Sequence, residues 1–150
     1  MPTYNNDGTL RDVVERVFPY CEDVIVVNDG CTDNTAEILA SFSERITVVK
    51  YGRNRGKGYA LKQGFLKAKA MGFDYALTID SDGQHFPEDI PLFVEALEQH
   101  PGALIVGSRN LTKRTCLRKT LLPTSSRIFG SKSKQALTCP TPRRVIVSIH

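Results

Sequence analysis

The sequence predicts an α/β fold with a mostly parallel sheet and helices on both of its faces. Three observations predict it. Short β-branched runs alternate with helical segments through the first 107 residues, the links between them are short, and the central run is apolar on both faces as in a buried parallel strand. A chain of 150 residues fits one domain with an ordinary core, and 41% apolar with 24% charged residues is a soluble globular composition.

Each element has its own signal. "GTLRDVVERVF" (8–18) places Leu10, Val13, Val14, Val17 and Phe18 on one helical face. "DVIVVND" (23–29) is the β-branched strand. "DNTAEILASF" (33–42) opens with cap residues and sets Glu37 three positions after Asn34, a capping-box pattern. "RITVVKY" (45–51) is a second strand, and "KGYALKQGFLKAKAMG" (57–72) a helix ended by Gly72. "DYALTID" (74–80) is a third strand, "PEDIPLFVEALEQH" (87–100) a helix opened by proline, and "GALIVGS" (102–108) a fourth strand. No apolar run approaches the ~20 residues of a membrane span, and no signal-peptide pattern opens the chain. Cys21, Cys31, Cys116 and Cys139 show no C-x-x-C spacing, which argues against zinc or a disulfide framework and predicts a cytoplasmic protein.

In parallel sheets ligands bind beyond the carboxyl ends of the strands. Three such ends carry polar residues: Asn28-Asp29-Gly30, Arg53-Asn54-Arg55-Gly56 and Asp80-Ser81-Asp82. Asp80 and Asp82 are two apart, so in extended geometry both carboxylates face one side. Their repulsion is relieved by a cation, and Mg²⁺ or Mn²⁺ commonly joins one or two carboxylates to a diphosphate. A solvated Asp-Gly turn explains the same residues without a ligand. Asp29 either shapes its turn or accepts hydrogen bonds from a ligand, whereas Asp33 and Asn34 are read as helix caps. "GRNRGKGYA" (52–60) sets three glycines and three cations ahead of a helix, where phosphate is attracted, although it matches neither G-x-x-x-x-G-K-[ST] nor G-x-G-x-x-G. His85 is read as a turn residue.

In this order, "PTYNN" (2–6), "VVNDGCTDNT" (26–35), "NRGKGYAL" (54–61) and "DSDGQHFPEDI" (80–90) resemble family 2 glycosyltransferases with the GT-A fold. The last stretch is most similar to the branch of dolichyl- and polyprenyl-phosphate sugar transferases. The resemblance implies a Rossmann-like nucleotide-sugar-binding domain that transfers a sugar from UDP- or GDP-sugar with inversion. It implies that Pro2, Thr3, Tyr4 and Asn5 line the nucleotide, that Asp29 contacts the base, and that Arg55, Gly56 and Lys57 lie close by. Asp80, Ser81 and Asp82 would flank the ribose and diphosphate, with Asp80 and Asp82 at the metal, Mg²⁺ or Mn²⁺. The acceptor is expected to be a polyprenyl phosphate, a glycan or another alcohol, with peripheral association at the cytoplasmic face of a membrane. No catalytic base is assigned.

The match has two edges. The family's first strand precedes P-T-Y-N, whereas this sequence starts with Met1, so the domain is expected to be incomplete. Beyond "VGSRNL" (106–111) the resemblance stops and the charge changes: residues 1–98 hold all 16 acids and 10 of 20 basic residues, and residues 99–150 hold 10 basic residues and no acid. Codons for "KTLLPTSSRIFGS" (119–131) can be read one frame over as N-T-F-A-N-K-F-S-N-F-W-F. Those for "TPRRVIVSIH" (141–150) yield T-Q-T-G-Y-R-L-Y-P. Both resemble what this family carries after its fourth strand. The expectation is therefore a partial GT-A domain over 1–111, then an out-of-frame, disordered basic tail over 112–150, with activity in doubt. Two other readings stay open: a non-catalytic nucleotide-sugar binder, and a basic-tailed protein that binds nucleic acid or anionic membranes. The codon argument weighs against nucleic acid as a partner. A nucleotidyltransferase would need a glycine-rich N-terminal phosphate loop, which is absent from these residues.

Overall fold

A computed structural model describes residues 1–108, 116–120 and 145–149. Strand β2 (Val24–Asn28) is buried at all five positions and is the hub of a parallel sheet. Along one edge it pairs with β3 (Ile46–Lys50), from Val24 opposite Ile46 to Asn28 opposite Lys50. Its other edge is shared end to end by β1 (Pro2–Thr3), opposite Val27 and Asn28, and β7 (Val145–Ile149), opposite Val24 and Ile25. β7 in turn pairs with β4 (Tyr75–Ile79) over its full length, so it joins the β2 and β4 halves.

Alternation along β2 divides the core into two layers. Val24 and Val26 face α1 (Asp7–Val17), α2 (Thr35–Ala40) and α4 (Ile90–Gln99), where Leu10, Val13, Val14, Val17, Leu39, Ile90, Val94 and Leu97 are buried. Each aliphatic side chain buried there contributes about 1.5–3 kcal/mol. Among the described residues, Ile25 and Val27 face a single helix, α3 (Lys57–Ala70). That helix buries Ala60, Gly64 and Ala68, small residues four apart that let its backbone come close to the sheet.

Three expectations are corrected. The fourth strand, β5 (Leu104–Ser108), does not extend the parallel sheet; it pairs antiparallel with β6 (Cys116–Thr120), an arrangement that needs only a short connection. Within the segment from 112 onward, Cys116–Thr120 form β6 and Val145–Ile149 form β7, whose β-branched residues suit a strand. The segment's remaining residues, and the frame reading placed on them, lie outside the described residues. The helix expected over 87–100 is divided: Pro87–Asp89 form a 3₁₀ turn and α4 begins at Ile90. Pro91 has no N–H to offer the Pro87 carbonyl, so Ile90 N–H takes that acceptor one residue earlier. The capping box at Asn34 is not formed, because Asn34 makes no side-chain cap bond. Asp33 caps instead, accepting from Thr35 N–H at 3.1 Å and from Asp7 N–H, at the start of α1, also at 3.1 Å. Burial opposes ionisation of Asp33, but these bonds outweigh it and hold its carboxyl below the usual range.

Candidate functional site

The motif residues gather at the carboxyl ends of β1, β2 and β4 and at the loop after β3. Asp29, 3% exposed, follows β2 and has both carboxylate oxygens engaged: Oδ1 accepts Arg55 N–H at 2.8 Å and Oδ2 accepts Gly56 N–H at 2.9 Å. Consecutive amides aimed at one carboxylate fix the conformation of the loop. Gly30 completes the join. Its φ is +72°, and a Cβ there would lie 2.4 Å from the Arg53 carbonyl carbon, so only glycine lets the two backbones touch. On the far side of the loop, the Arg55 guanidinium lies over the Tyr59 ring at 4.8 Å, and Tyr59 meets Tyr51 edge-on at 5.3 Å. Burial first and the neighbouring Asp29 carboxylate second push the Tyr51 phenol up, so it stays neutral.

Around β1, Pro2 and Thr3 are buried within the sheet, whereas Tyr4 and Asn5 are exposed at its end. The Thr3 carbonyl accepts Asp29 N–H at 2.9 Å, which ties β1 to the turn after β2. Asn5, at φ +51°, accepts Thr32 N–H at 3.0 Å. Asn28 accepts Cys31 N–H at 2.9 Å and shapes the same turn. Burial raises the Cys31 thiol above its ordinary value, which keeps it a weak donor, here toward the Thr3 carbonyl.

The end of β4 is built differently. Ser81, 1% exposed, is an internal anchor: its hydroxyl accepts from Asn6 Nδ2 at 2.8 Å, and its carbonyl accepts from the Thr9 hydroxyl at 2.6 Å. Asp80 and Asp82 flank it. The Lys57 ammonium stands 3.0 Å from Asp80 Oδ1 and 3.2 Å from Oδ2, although Lys57 itself is 63% exposed. Asp82 is exposed, and its Oδ1 accepts Gln84 N–H at 2.9 Å, an Asx turn. His85 Nδ1 accepts Asp80 N–H at 3.1 Å, and its Nε2 lies 3.8 Å from the same carboxylate. Nothing in the spacing of His85 announced that contact; a five-residue turn closes it. Asn6 and Thr9 likewise carried no signal, because their partner is 72 to 75 positions away.

Lys57 thus brings the β3–α3 loop to Asp80, and Asp29 holds that loop to β2. Pro2, Thr3 and Ser81 instead work inside the framework. Among the described residues no group of three or more His, Cys, Asp or Glu side chains could hold a metal ion. Asp80 and Asp82 are two carboxylates, so a divalent cation held there would take its remaining ligands from a bound diphosphate. The Asp80 carboxylate already attracts a cation, the Lys57 ammonium, which supports that donor set. A groove of about 630 Å³, lined by Glu22, Asp23, Arg45, Ile46 and Met71, lies at the amino ends of β2 and β3, away from these motifs.

The sequence is similar to those of known proteins. The family model described as glycosyl transferase family 2 matches residues 1–146. A UDP-N-acetylglucosamine–dolichyl-phosphate N-acetylglucosaminyltransferase from Methanococcus voltae is 31% identical over 125 residues, which cover 73% of this chain and 50% of the relative. An undecaprenyl-phosphate 4-deoxy-4-formamido-L-arabinose transferase from Photorhabdus laumondii is 34% identical over 131 residues, 80% of this chain and 39% of the relative. A dolichyl-phosphate beta-glucosyltransferase from Trichomonas vaginalis is 30% identical over 145 residues, 81% of this chain and 43% of the relative. The chain spans half or less of the length of these curated relatives. No solved structure matches it.

Proposed function

The chain belongs to glycosyl transferase family 2, and from that premise we propose that it carries the donor half of an inverting transferase that moves a sugar from UDP- or GDP-sugar to a polyprenyl phosphate. The observation that carries this reading is the Lys57–Asp80 contact at 3.0 Å, made by a loop that Asp29 fixes. It sets a cation, a carboxylate and the start of α3 on one rim. Among the described residues no side chain caps the N-terminus of α3, where the N-cap is Gly56, so its first amides can meet a phosphate. Arg55 and Lys57 add positive charge beside them.

A carboxylate offers about four acceptor positions, and Asp29 uses two, which leaves capacity for an N–H of the nucleobase. Tyr4 and Asn5, exposed at the end of β1, would border the same nucleotide. Asp80 and Asp82 would hold Mg²⁺ or Mn²⁺ together with the diphosphate, and the bound ion would stabilise the leaving diphosphate as a Lewis acid. Lys57 would then exchange Asp80 for a phosphate oxygen. A phosphate acceptor is already an anion, so its oxygen can form the new bond to the anomeric carbon while the bond to the diphosphate breaks, without a general base. An alcohol acceptor would need one. Such an acceptor would bring the protein to a membrane surface, which we read as the cytoplasmic face.

Calorimetric titration of UDP and GDP, with and without Mn²⁺, tests the reading. One base should bind more tightly, binding should strengthen with Mn²⁺, and Asp82→Ala should lose about tenfold or more, the usual scale for a charged ligand contact. No binding of either nucleotide, or unchanged binding by Asp82→Ala, would sink it. Binding without turnover would leave the chain as a non-catalytic nucleotide-sugar binder.

A further inference from the structure

The two helical layers on the sheet carry opposite charge. On one face, α1, α2, α4 and the 3₁₀ turn hold eight acids (Asp7, Asp12, Glu15, Glu37, Glu88, Asp89, Glu95, Glu98) against Arg11 and Arg16. On the other, α3 holds Lys57, Lys62, Lys67 and Lys69 and no acid. The asymmetry extends beyond the helix, since the 29 residues between Glu44 and Asp74 contain eight cations and no carboxylate. Solvated helices ordinarily mix signs, because pairs three or four apart stabilise them. Lys67 and Lys69 are accounted for by the negative end of the helix dipole, but Lys62, in mid-helix, is not.

The outer stripe of α3 is Lys62, Leu66 and Lys69, at i, i+4 and i+7, opposite the buried Ala60, Gly64 and Ala68. Leu66 is 51% exposed between its lysines. An isobutyl group bordered by ammonium groups is of no use to a nucleic-acid backbone. At a bilayer, by contrast, lysines meet anionic headgroups while the apolar side chain enters the interface. We propose that the outer face of α3 docks on an anionic lipid bilayer, with the acidic face turned away. This deepens the functional reading above and rests on its lipid acceptor. No helix among the described residues is long and apolar enough to cross a membrane, so the contact is a surface one. A 14-residue helix lying along the surface covers about 21 Å. Because its first residue is Lys57, the docked helix brings the Asp80 rim beside the headgroups, where a lipid phosphate arrives.

Sedimentation of the full chain with phosphatidylcholine vesicles, with and without phosphatidylglycerol, tests this. Binding should require phosphatidylglycerol and weaken with salt. Lys62→Glu, Lys67→Glu and Lys69→Glu combined should lose about a hundredfold, from roughly fivefold per basic residue near an anionic surface. Glu15→Gln, Glu95→Gln and Glu98→Gln combined, which raise the net charge on the other face, should change little. Leu66→Ser should weaken vesicle binding several-fold and leave heparin binding unchanged. The proposal is overturned if the lysine variant binds vesicles like the parent, if both sets of variants act equally through net charge, or if Leu66→Ser has no effect and RNA outcompetes the vesicles. Nucleotide titration of the lysine variant separates the two readings. Retained UDP or GDP binding with lost vesicle binding supports both; vesicle binding by a parent that binds no nucleotide leaves the docking face standing and removes the donor site.

Discussion

The corner after β2 and the corner after β4 hold carboxylates at the same level of the sheet, yet they are built in opposite ways. Asp29 is buried, both its oxygens accept backbone amides, and Gly30 lies against the neighbouring loop with no room for a methyl group. Asp80 meets an ammonium on a long, exposed side chain, and Asp82, among the described residues, bonds within its own turn. Backbone amides cannot leave, whereas an exposed ammonium exchanges with solvent or a ligand at little cost. The comparison teaches that one corner sets geometry and the other is left able to change partners.

Four measurements break or sharpen that contrast, in order of their expected effect on the fold. Gly30→Ala forces a side chain into a left-handed backbone and against Arg53, and should cost about 2–4 kcal/mol in urea unfolding, from strain plus overpacking. A loss below about 1 kcal/mol, the scale of an ordinary substitution, would mean the loop is not held there. Asp29→Asn turns a donor toward an N–H and should cost about 2–3 kcal/mol, with faster hydrogen exchange at Arg55 and Gly56. Unchanged exchange at those two amides would remove the clamp. Asp82→Ala should shift stability by no more than about 0.5 kcal/mol, since it is exposed; a larger loss would make the open corner structural as well.

Smallest of all is the exposed pair Arg16–Glu88, at 2.8 Å, which ties α1 to the 3₁₀ turn. The Arg16 guanidinium holds the Glu88 carboxyl below its ordinary range. A depressed carboxylate contributes stability that is present above its unfolded value and lost as the pH falls through the folded one. Glu88→Gln should therefore cost only about 0.2–0.4 kcal/mol near neutral pH, and the difference from the parent should vanish in acid. A difference that persists in acid would assign the effect to something other than this charge pair.

Much of the framework was legible because its signals are local. The stripe Leu10, Val13, Val14 and Val17 and the unbroken apolar run of β2 are buried as their periodicity required. What escaped depends on partners distant in the chain. Asp33 caps α2 as its position suggested, but the bond it also accepts from Asp7 N–H escaped, because that donor belongs to a different helix. Pro91 was present in the text, yet its consequence emerges only when the 3₁₀ turn and α4 are separated. At the site, the strand-end carboxylates were visible in the sequence, but the framework bonds each makes were not. Asp29 was read either as shaping its turn or as a ligand contact; the loop it anchors went unseen, since the amides of Arg55 and Gly56 carry no side-chain signature. Ser81, read as part of the donor site, is enclosed by Asn6 and Thr9.

The place of β7 has a consequence for how the molecule comes together. Val24 pairs with Val147, and Tyr75 with Val145, so the strand that joins the two halves of the sheet follows both of them by a long stretch of chain. Contacts of such high sequence separation close slowly, after local pairs have formed. During synthesis the β2–β3 pair with α3 can assemble first, while the gap beside β4 waits for residues still on the ribosome. Until they arrive, two unpaired strand edges face each other across that gap, each a template for the wrong partner.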